Sequence, residues 1–165
     1  MLESILDRRS IRRYRPGAVR EEDVKTLLQC AMMAPSAGNG RPWSFVVIDD
    51  RAILDELAAR HPYAAMLREA PTAICVCARS AGMADYWQQD CAAATMNILI
   101  AAKELGLGTC WMGVAPVRER VDMVGGLLKL PEGVSAFNLI ALGYPAEERD
   151  RPDRWDEGLI HRNRW

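Results

Sequence analysis

The spacing of apolar positions changes repeatedly along this chain, and each change predicts an element. Leu2, Ile5 and Leu6 recur at helical intervals before the run Arg8-Arg9-Ser10-Ile11-Arg12-Arg13-Tyr14-Arg15, which Pro16 and Gly17 close. Glu21, Glu22 and Asp23 place acids where the positive end of a helix dipole favours them. Val24, Leu27, Leu28 and Ala31 then give a second helix one apolar face as far as Pro35. Ser44 to Ile48 switches to a short apolar, β-branched run that predicts a strand, stopped by Asp49 and Asp50. Ala52 to Ala59 is a short amphipathic helix broken by His61-Pro62, and Tyr63 to Arg68 allows one more helical turn. Thr72 to Ala78 is apolar almost throughout and predicts a buried strand, with Gly82 marking the loop that follows. The pattern then predicts the longest helix from Asp85 to Leu105, a third strand from Thr109 to Val114, a helix from Val117 to Leu128 weakened by Gly125 and Gly126, and a fourth strand from Val134 to Leu142.

The long helix is unusual because its apolar residues, from Trp87 and Cys91 to Leu105, cover most of its circumference. Such a helix is buried on nearly every side, which a domain of this size hardly manages alone, so a subunit interface is expected. After Gly143-Tyr144-Pro145 the character changes again: residues 146–165 form a charged tail with no core face until Trp155, Leu159, Ile160 and Trp165. These aromatic and aliphatic residues predict that the tail packs on something, and a neighbouring subunit is the candidate. A chain of 165 residues fits one domain, 1–165, and no internal repeat divides it.

Composition narrows the picture by exclusion. Half the residues are hydrophobic and the formal net charge is −1, as in an ordinary globular protein rather than a disordered or polyanion-binding one. The first ten residues carry Glu3, Asp7, Arg8 and Arg9 and lack the apolar core of a secretory signal. The apolar stretch Cys91 to Ala102 is too short to span a bilayer, and a cytoplasmic protein without a membrane partner is expected. Five cysteines are an odd number, and all lie in apolar segments, which speaks against a disulfide framework. Cys75-x-Cys77 with only His61 and His161 elsewhere is a weak metal signature. Buried structural thiols and no metal are the expectation.

Three stretches carry candidate chemistry. Arg8, Arg9, Arg12, Arg13 and Arg15 crowd five guanidinium groups into eight positions, which suits bidentate contact with phosphate or with a heterocycle edge. A solvated basic face, or one touching RNA, accounts for the same run. The near-neutral balance of the whole chain argues against nucleic acid. Ala34-Pro35-Ser36-Ala37-Gly38-Asn39-Gly40-Arg41-Pro42-Trp43 is a polar, Gly-rich loop between helix and strand. Gly38 and Gly40 permit conformations closed to other residues, and a loop with that much punctuation is expected to have a fixed shape able to hold a ligand. Ser36 lies in a degenerate nucleophile elbow with His161 downstream, but an elbow runs strand, turn, helix, and this serine follows a helix and precedes a strand. Gly106-Leu107-Gly108 follows a helix instead of opening one, so it lacks the setting of a dinucleotide fingerprint.

Taken together and in order, RRSIRRY, APSAGNGRPW, an Ala-rich helix running into GLGTCWMG, and a final GYP with the tail Asp150-Arg151-Pro152-Asp153-Arg154-Trp155 resemble the nitroreductase family of flavoproteins along the whole chain. That resemblance implies an α+β, nitroreductase-like fold with a mixed central β-sheet flanked by helices, built as an intertwined homodimer with FMN at each subunit interface. By position it implies that Arg8, Arg9, Ser10 and Arg12 contact the phosphate, ribitol and pyrimidine side of FMN, with Arg154 completing the phosphate site. Pro35, Ser36, Ala37 and Asn39 would approach from the other subunit, and Trp111, Met112 and Gly113 would lie near the ring system. Tyr63 to Glu69 lacks the Asn and Lys pair that some larger relatives place against the flavin, and Arg41 stands where Gln is common. The implied activity is an FMN-dependent oxidoreductase that uses NAD(P)H and then a nitroaromatic or quinone acceptor by a ping-pong mechanism. A flavin-binding sensor or carrier without turnover is the alternative.

Overall fold

The computed structural model describes residues 2–79 and 86–165. The expected loop at Gly82 and the expected helix start at Asp85 lie outside the described residues. Within them the elements follow the apolar pattern closely. They are α1 (Leu2–Asp7), α2 (Glu21–Met32), β1 (Trp43–Ile48), α3 (Arg51–Arg60), β2 (Thr72–Arg79), α4 (Trp87–Glu104), β3 (Gly108–Gly113), α5 (Arg118–Leu127) and β4 (Val134–Gly143). Short 3-10 turns occupy Ala37–Asn39, Ala65–Arg68 and Glu157–Leu159.

The four strands form one sheet in the order β1-β2-β4-β3, with β4 inserted between β2 and β3. Every pairing among them is antiparallel. The mixed character expected of the sheet is confined to one parallel bridge, Ser10 with Thr109, where the N-terminal segment runs along the outer edge of β3.

Alternation along the strands sorts the core into two layers. Ile74, Val76 and Ala78 of β2 and Ile140 and Leu142 of β4 face α2 and α4, where they meet Leu27, Ala31, Cys91, Ala94 and Ile98. Ala73, Cys75 and Cys77, with Leu139 and Ala141, face α3 and α5 and meet Leu54, Leu57 and Val124. A register shift between Val76 and Cys77 leaves Phe137 as the extra residue of β4. The carbonyl of Phe137 accepts from both Val114 and Ala115, and its ring packs edge-on against Trp87 and Trp111.

Helix α4 carries a fully buried stripe at Cys91, Ala94, Thr95, Ile98, Leu99 and Ala102, while Ala92, Ala93, Met96, Ile100 and Ala101 remain half-buried in the single chain. An apolar flank of this helix is thus only partly covered by its own protomer. Four of the five cysteines are buried and all are free thiols, as their apolar settings predict. Among the described residues no group of three or more metal-ligating side chains comes together, and no helix is long and apolar enough to cross a membrane. The tail lies on the outside, with Trp155 at 76% and Trp165 at 101% relative exposure.

Candidate functional site

The free edge of β3 organises the candidate residues. Ile11 donates its backbone N–H to Thr109 at 2.8 Å, which lays the arginine-rich segment beside the strand. The approach is close enough that a Cβ on Gly108 would meet Ile11 Cβ at 2.9 Å, so only glycine fits there. Tyr14 anchors the far end of the segment: its hydroxyl donates to the Ile11 carbonyl at 2.6 Å, and burial holds its ionisation far above the usual range.

The segment's arginines divide by role. Arg9 is spent on the chain itself, donating to the carbonyls of Asp150 at 2.9 Å and Leu6 at 3.0 Å, and so ties the tail to the N-terminus. Arg13 pairs with Glu69 at 3.1 Å. Arg8 and Arg12 have no carboxylate partner among the described residues. Burial lowers the affinity of the half-buried Arg8 for its proton, and the neighbouring charges of Arg9 and Arg154 lower it further. An arginine crowded by like charges and without a carboxylate partner of its own is suited to taking an anion. Arg8 and Arg9 line a cavity of about 360 Å³ that also takes in Lys103 from the last turn of α4, Arg149 and Arg151 from the tail, and the acidic Asp7, Glu147 and Glu148; Arg149 pairs with Glu147 at 2.7 Å, and Arg151 with Glu3 at 3.3 Å and Asp7 at 3.7 Å. Arg154 lies beyond it, in a neighbouring depression shared by Arg8, Arg9 and Arg151. Of the expected site residues, Arg8, Arg9 and Arg154 come together here, joined by Lys103, Arg149 and Arg151, which the sequence reading did not assign to the site. The tail's charge alternation masked Arg149 and Arg151, although the Arg-x-Arg spacing beside Pro152 was the available signal, and Lys103 carried no signal beyond its place at the end of α4.

Further along the edge, burial pushes the Cys110 thiol up, while the nearby charge of Arg12 and the Ser10 side chain oppose it. Trp111 and Gly113 face the α4 side, whereas Met112 is buried at 2% exposure in the opposite layer and offers only backbone to this edge. A Cβ on Gly113 would meet nothing within 4 Å, so the strand ends beside open space. From Gly108 to Gly113 the edge runs about 17 Å. The Gly113 carbonyl is gripped from behind by His61 Nε2 at 3.0 Å and Arg120 Nη1 at 3.2 Å.

The polar loop sits elsewhere. The backbone N–H of Ala37 donates to Asp90 Oδ1 at 3.0 Å, and the backbone N–H of Arg41 donates to Ser36 Oγ at 3.0 Å. Left-handed backbone occurs at Gly38 (φ 54), Asn39 (φ 56) and Arg41 (φ 45), while Gly40 takes an ordinary helical angle. The Ser36 hydroxyl is thus engaged in shaping the loop. Asp90 is in the first turn of α4 and Lys103 in its last, so the loop and the arginine cavity are separated by about 20 Å along the helix. Among the described residues no hydrogen bond joins Pro35, Ser36, Ala37 or Asn39 to Arg8, Ser10, Arg12 or the Trp111–Gly113 strand end.

This architecture defines a structural class, the nitroreductase-like α+β proteins. A solved structure from Parabacteroides distasonis, provisionally named an NADH dehydrogenase/NAD(P)H nitroreductase, matches with a TM-score of 0.97 at 38% identity, covering 99% of this chain and 98% of its own. An FMN-dependent nitroreductase from Clostridium difficile R20291 matches with a TM-score of 0.93 at 30% identity over 100% of both chains. In sequence, a Methanothermobacter thermautotrophicus protein with the same provisional name as the first is 44% identical over 167 aligned residues, 100% of this chain and 87% of that protein. The profile of the nitroreductase family matches residues 5–62 and 55–144. The chain belongs to the nitroreductase family.

Proposed function

We propose that this chain is a single-domain, FMN-dependent oxidoreductase that works as a homodimer with NAD(P)H as electron donor. The observation that carries the reading is the edge of β3, with Arg8, which has no carboxylate partner among the described residues, at one end and open space at Gly113 at the other. The donor set suits a long ligand with a phosphate head and a flat ring system. Arg8, with Lys103, Arg149 and Arg151 around the cavity and Arg154 beside it, would hold the phosphate, while Arg9 fixes the tail that carries three of these groups. Ser10 and Arg12 would serve the ribitol and pyrimidine side, and Trp111, Met112 and Gly113 would present backbone to the ring.

FMN held here would supply the redox chemistry between NAD(P)H and, in a second half-reaction, an acceptor such as a nitroaromatic or quinone. The chain's own residues bind, orient and tune. No side chain at the edge is placed as a general acid or base, and the cationic groups favour added negative charge at the pyrimidine edge. The separation of the Pro35–Asn39 loop from the arginines supports its serving the partner's site. The half-covered flank of α4 and the exposed Trp155, Leu159, Ile160 and Trp165 supply apolar surface for the second subunit.

Titration of the purified protein with FMN, followed by fluorescence quenching, tests the cofactor. Anaerobic stopped-flow mixing with NADH and NADPH then tests turnover. Bleaching of the flavin absorbance by either nucleotide is expected. Failure to bind FMN refutes the reading, and binding without bleaching leaves a carrier instead of an enzyme.

A further inference from the structure

The sequence offers His61 only as half of a helix-breaking His-Pro pair, yet its side chain is 2% exposed and points at the strand end assigned to the ring system. We propose that His61, acting with Arg120, is a positioning residue: the neutral imidazole holds the Gly113 carbonyl and so fixes the peptide groups of the β3 end against the cofactor. The proposal rests on the functional reading above, which places Gly113 beside the flavin.

The contacts assign the protonation state. His61 Nδ1 accepts the backbone N–H of Tyr63 at 3.2 Å, so that nitrogen is bare. Nε2 therefore carries the hydrogen and donates it to Gly113. The Gly113–Val114 peptide is thereby clamped on both sides, since Val114 donates its own N–H to the Phe137 carbonyl at 3.1 Å. On the other side of Gly113 the space is open. Both polar groups of that peptide are satisfied within the fold, so it offers a ligand no hydrogen bond of its own; held rigid, it fixes the position of the strand end beside the gap.

Arg120 completes the device. Its guanidinium donates to the same carbonyl and lies 5.1 Å from the centroid of the Tyr63 ring, which in turn meets the His61 ring edge-on. It is the charged group that acts on His61 from α5. β3 contributes only the Gly113 carbonyl, and α3 is bonded there through backbone, Leu57 accepting from the His61 N–H at 2.9 Å. Protonation of His61 would set an Nδ1–H against the Tyr63 N–H and place a second positive charge beside Arg120. Burial first, and Arg120 second, lower the imidazole's affinity for that proton, while the Gly113 carbonyl opposes them. The clamp is therefore closed at neutral pH and opens in acid.

Three variants separate this role from general stability. His61→Gln keeps an N–H donor for Gly113 without a titrating ring, His61→Leu removes the donor, and Arg120→Gln removes the second cation. At neutral pH His61→Leu is expected to weaken FMN retention about tenfold, the loss of one buried hydrogen bond, and His61→Gln to stay within about twofold of wild type. As the pH is taken below the ordinary histidine value of 6.5, wild-type retention should fall, while His61→Gln stays flat and Arg120→Gln, relieved of the neighbouring charge, falls already at higher pH than wild type. ¹⁵N NMR of the apoprotein supplies a readout without flavin, and a bare Nδ1 with protonated Nε2 is expected for His61. The same acid fall in His61→Gln as in wild type, or a protonated Nδ1 at neutral pH, overturns the proposal. Wild type that takes up no FMN overturns the functional reading and this role with it.

Discussion

Adding one methyl group at Gly108 probes how the arginine segment is seated. The new Cβ would lie 2.9 Å from Ile11 Cβ and Cγ2 and 3.1 Å from Cγ1. Ile11 is β-branched, and its Cβ is fixed to the backbone, so no rotamer change removes the clash. Relief requires the segment to move off the edge of β3, stretching the 2.8 Å bond from Ile11 to Thr109 and the bridge at Ser10. Overpacking of this kind costs about 1–3 kcal/mol, and weakening one backbone hydrogen bond adds about 1 kcal/mol. A total near 3 kcal/mol in a chain of this length corresponds to a fall in Tm of about 6–12 °C. Because Arg8 and Arg9 ride on the segment, FMN retention should weaken in the same variant. Thermal melts with and without FMN provide the assay. Gly126→Ala is the control, since its Cβ would meet nothing within 4 Å and it lies inside α5, where alanine gains about 0.5–1 kcal/mol. If Gly108→Ala melts together with wild type and holds FMN equally well, the close approach of Ile11 does not seat the segment and the argument fails.

Other expectations follow from the same contacts. Arg8→Ala and Arg154→Ala should each raise the FMN dissociation constant without moving the melting temperature of the apoprotein, and equal retention in both would remove them from the phosphate site. Asp90→Ala deprives the Ala37 N–H of its acceptor and should cost about 1–2 kcal/mol in urea unfolding, with proteolysis near Gly38 accelerated; an unchanged cleavage rate would show that the loop is held otherwise. His61 has a depressed proton affinity in the folded state, so below its ordinary value of 6.5 the unfolded chain binds a proton that the folded chain resists. Its contribution is present in full above that pH and is lost as the pH falls from there to the depressed value. Urea midpoints that depend less on pH in His61→Gln than in wild type would bear this out.

Much of the fold was legible because local signals and tertiary need agreed. The continuous apolar run at Thr72 to Ala78 predicted a strand covered on both faces, and β2 is buried from Thr72 through Ala78. Gly106 ended α4 where the pattern stopped. Strand order was not legible, because period-two alternation fixes which face a residue takes but not which strand lies beside it, and β4 reaches its place between β2 and β3 only through long-range pairing. The loop was legible in part. Glycine marks where left-handed backbone is free, and Gly38 takes it, but so do Asn39 and Arg41, in a turn held by the Ser36 hydroxyl and Asp90, while Gly40 keeps an ordinary helical angle. Arg8 and Arg12 were visible as a charge run, but only folding shows that Arg9 and Arg13 are engaged elsewhere. His61 carried no sequence signal beyond its proline, since its role depends on a carbonyl fifty-two residues downstream.

The length of α4 has a genetic consequence. If the loop at its first turn and the arginine cavity at its last serve different copies of one shared site, two defects can be dealt to separate genes. A protomer lacking Arg8, paired with one whose Pro35–Asn39 loop is altered, would make a mixed dimer with one site broken twice and the other whole. Two alleles that are each inactive alone would then restore activity when expressed together, while the same two changes placed in one gene, with a wild-type copy beside it, would segregate one defect into each site of the mixed dimer.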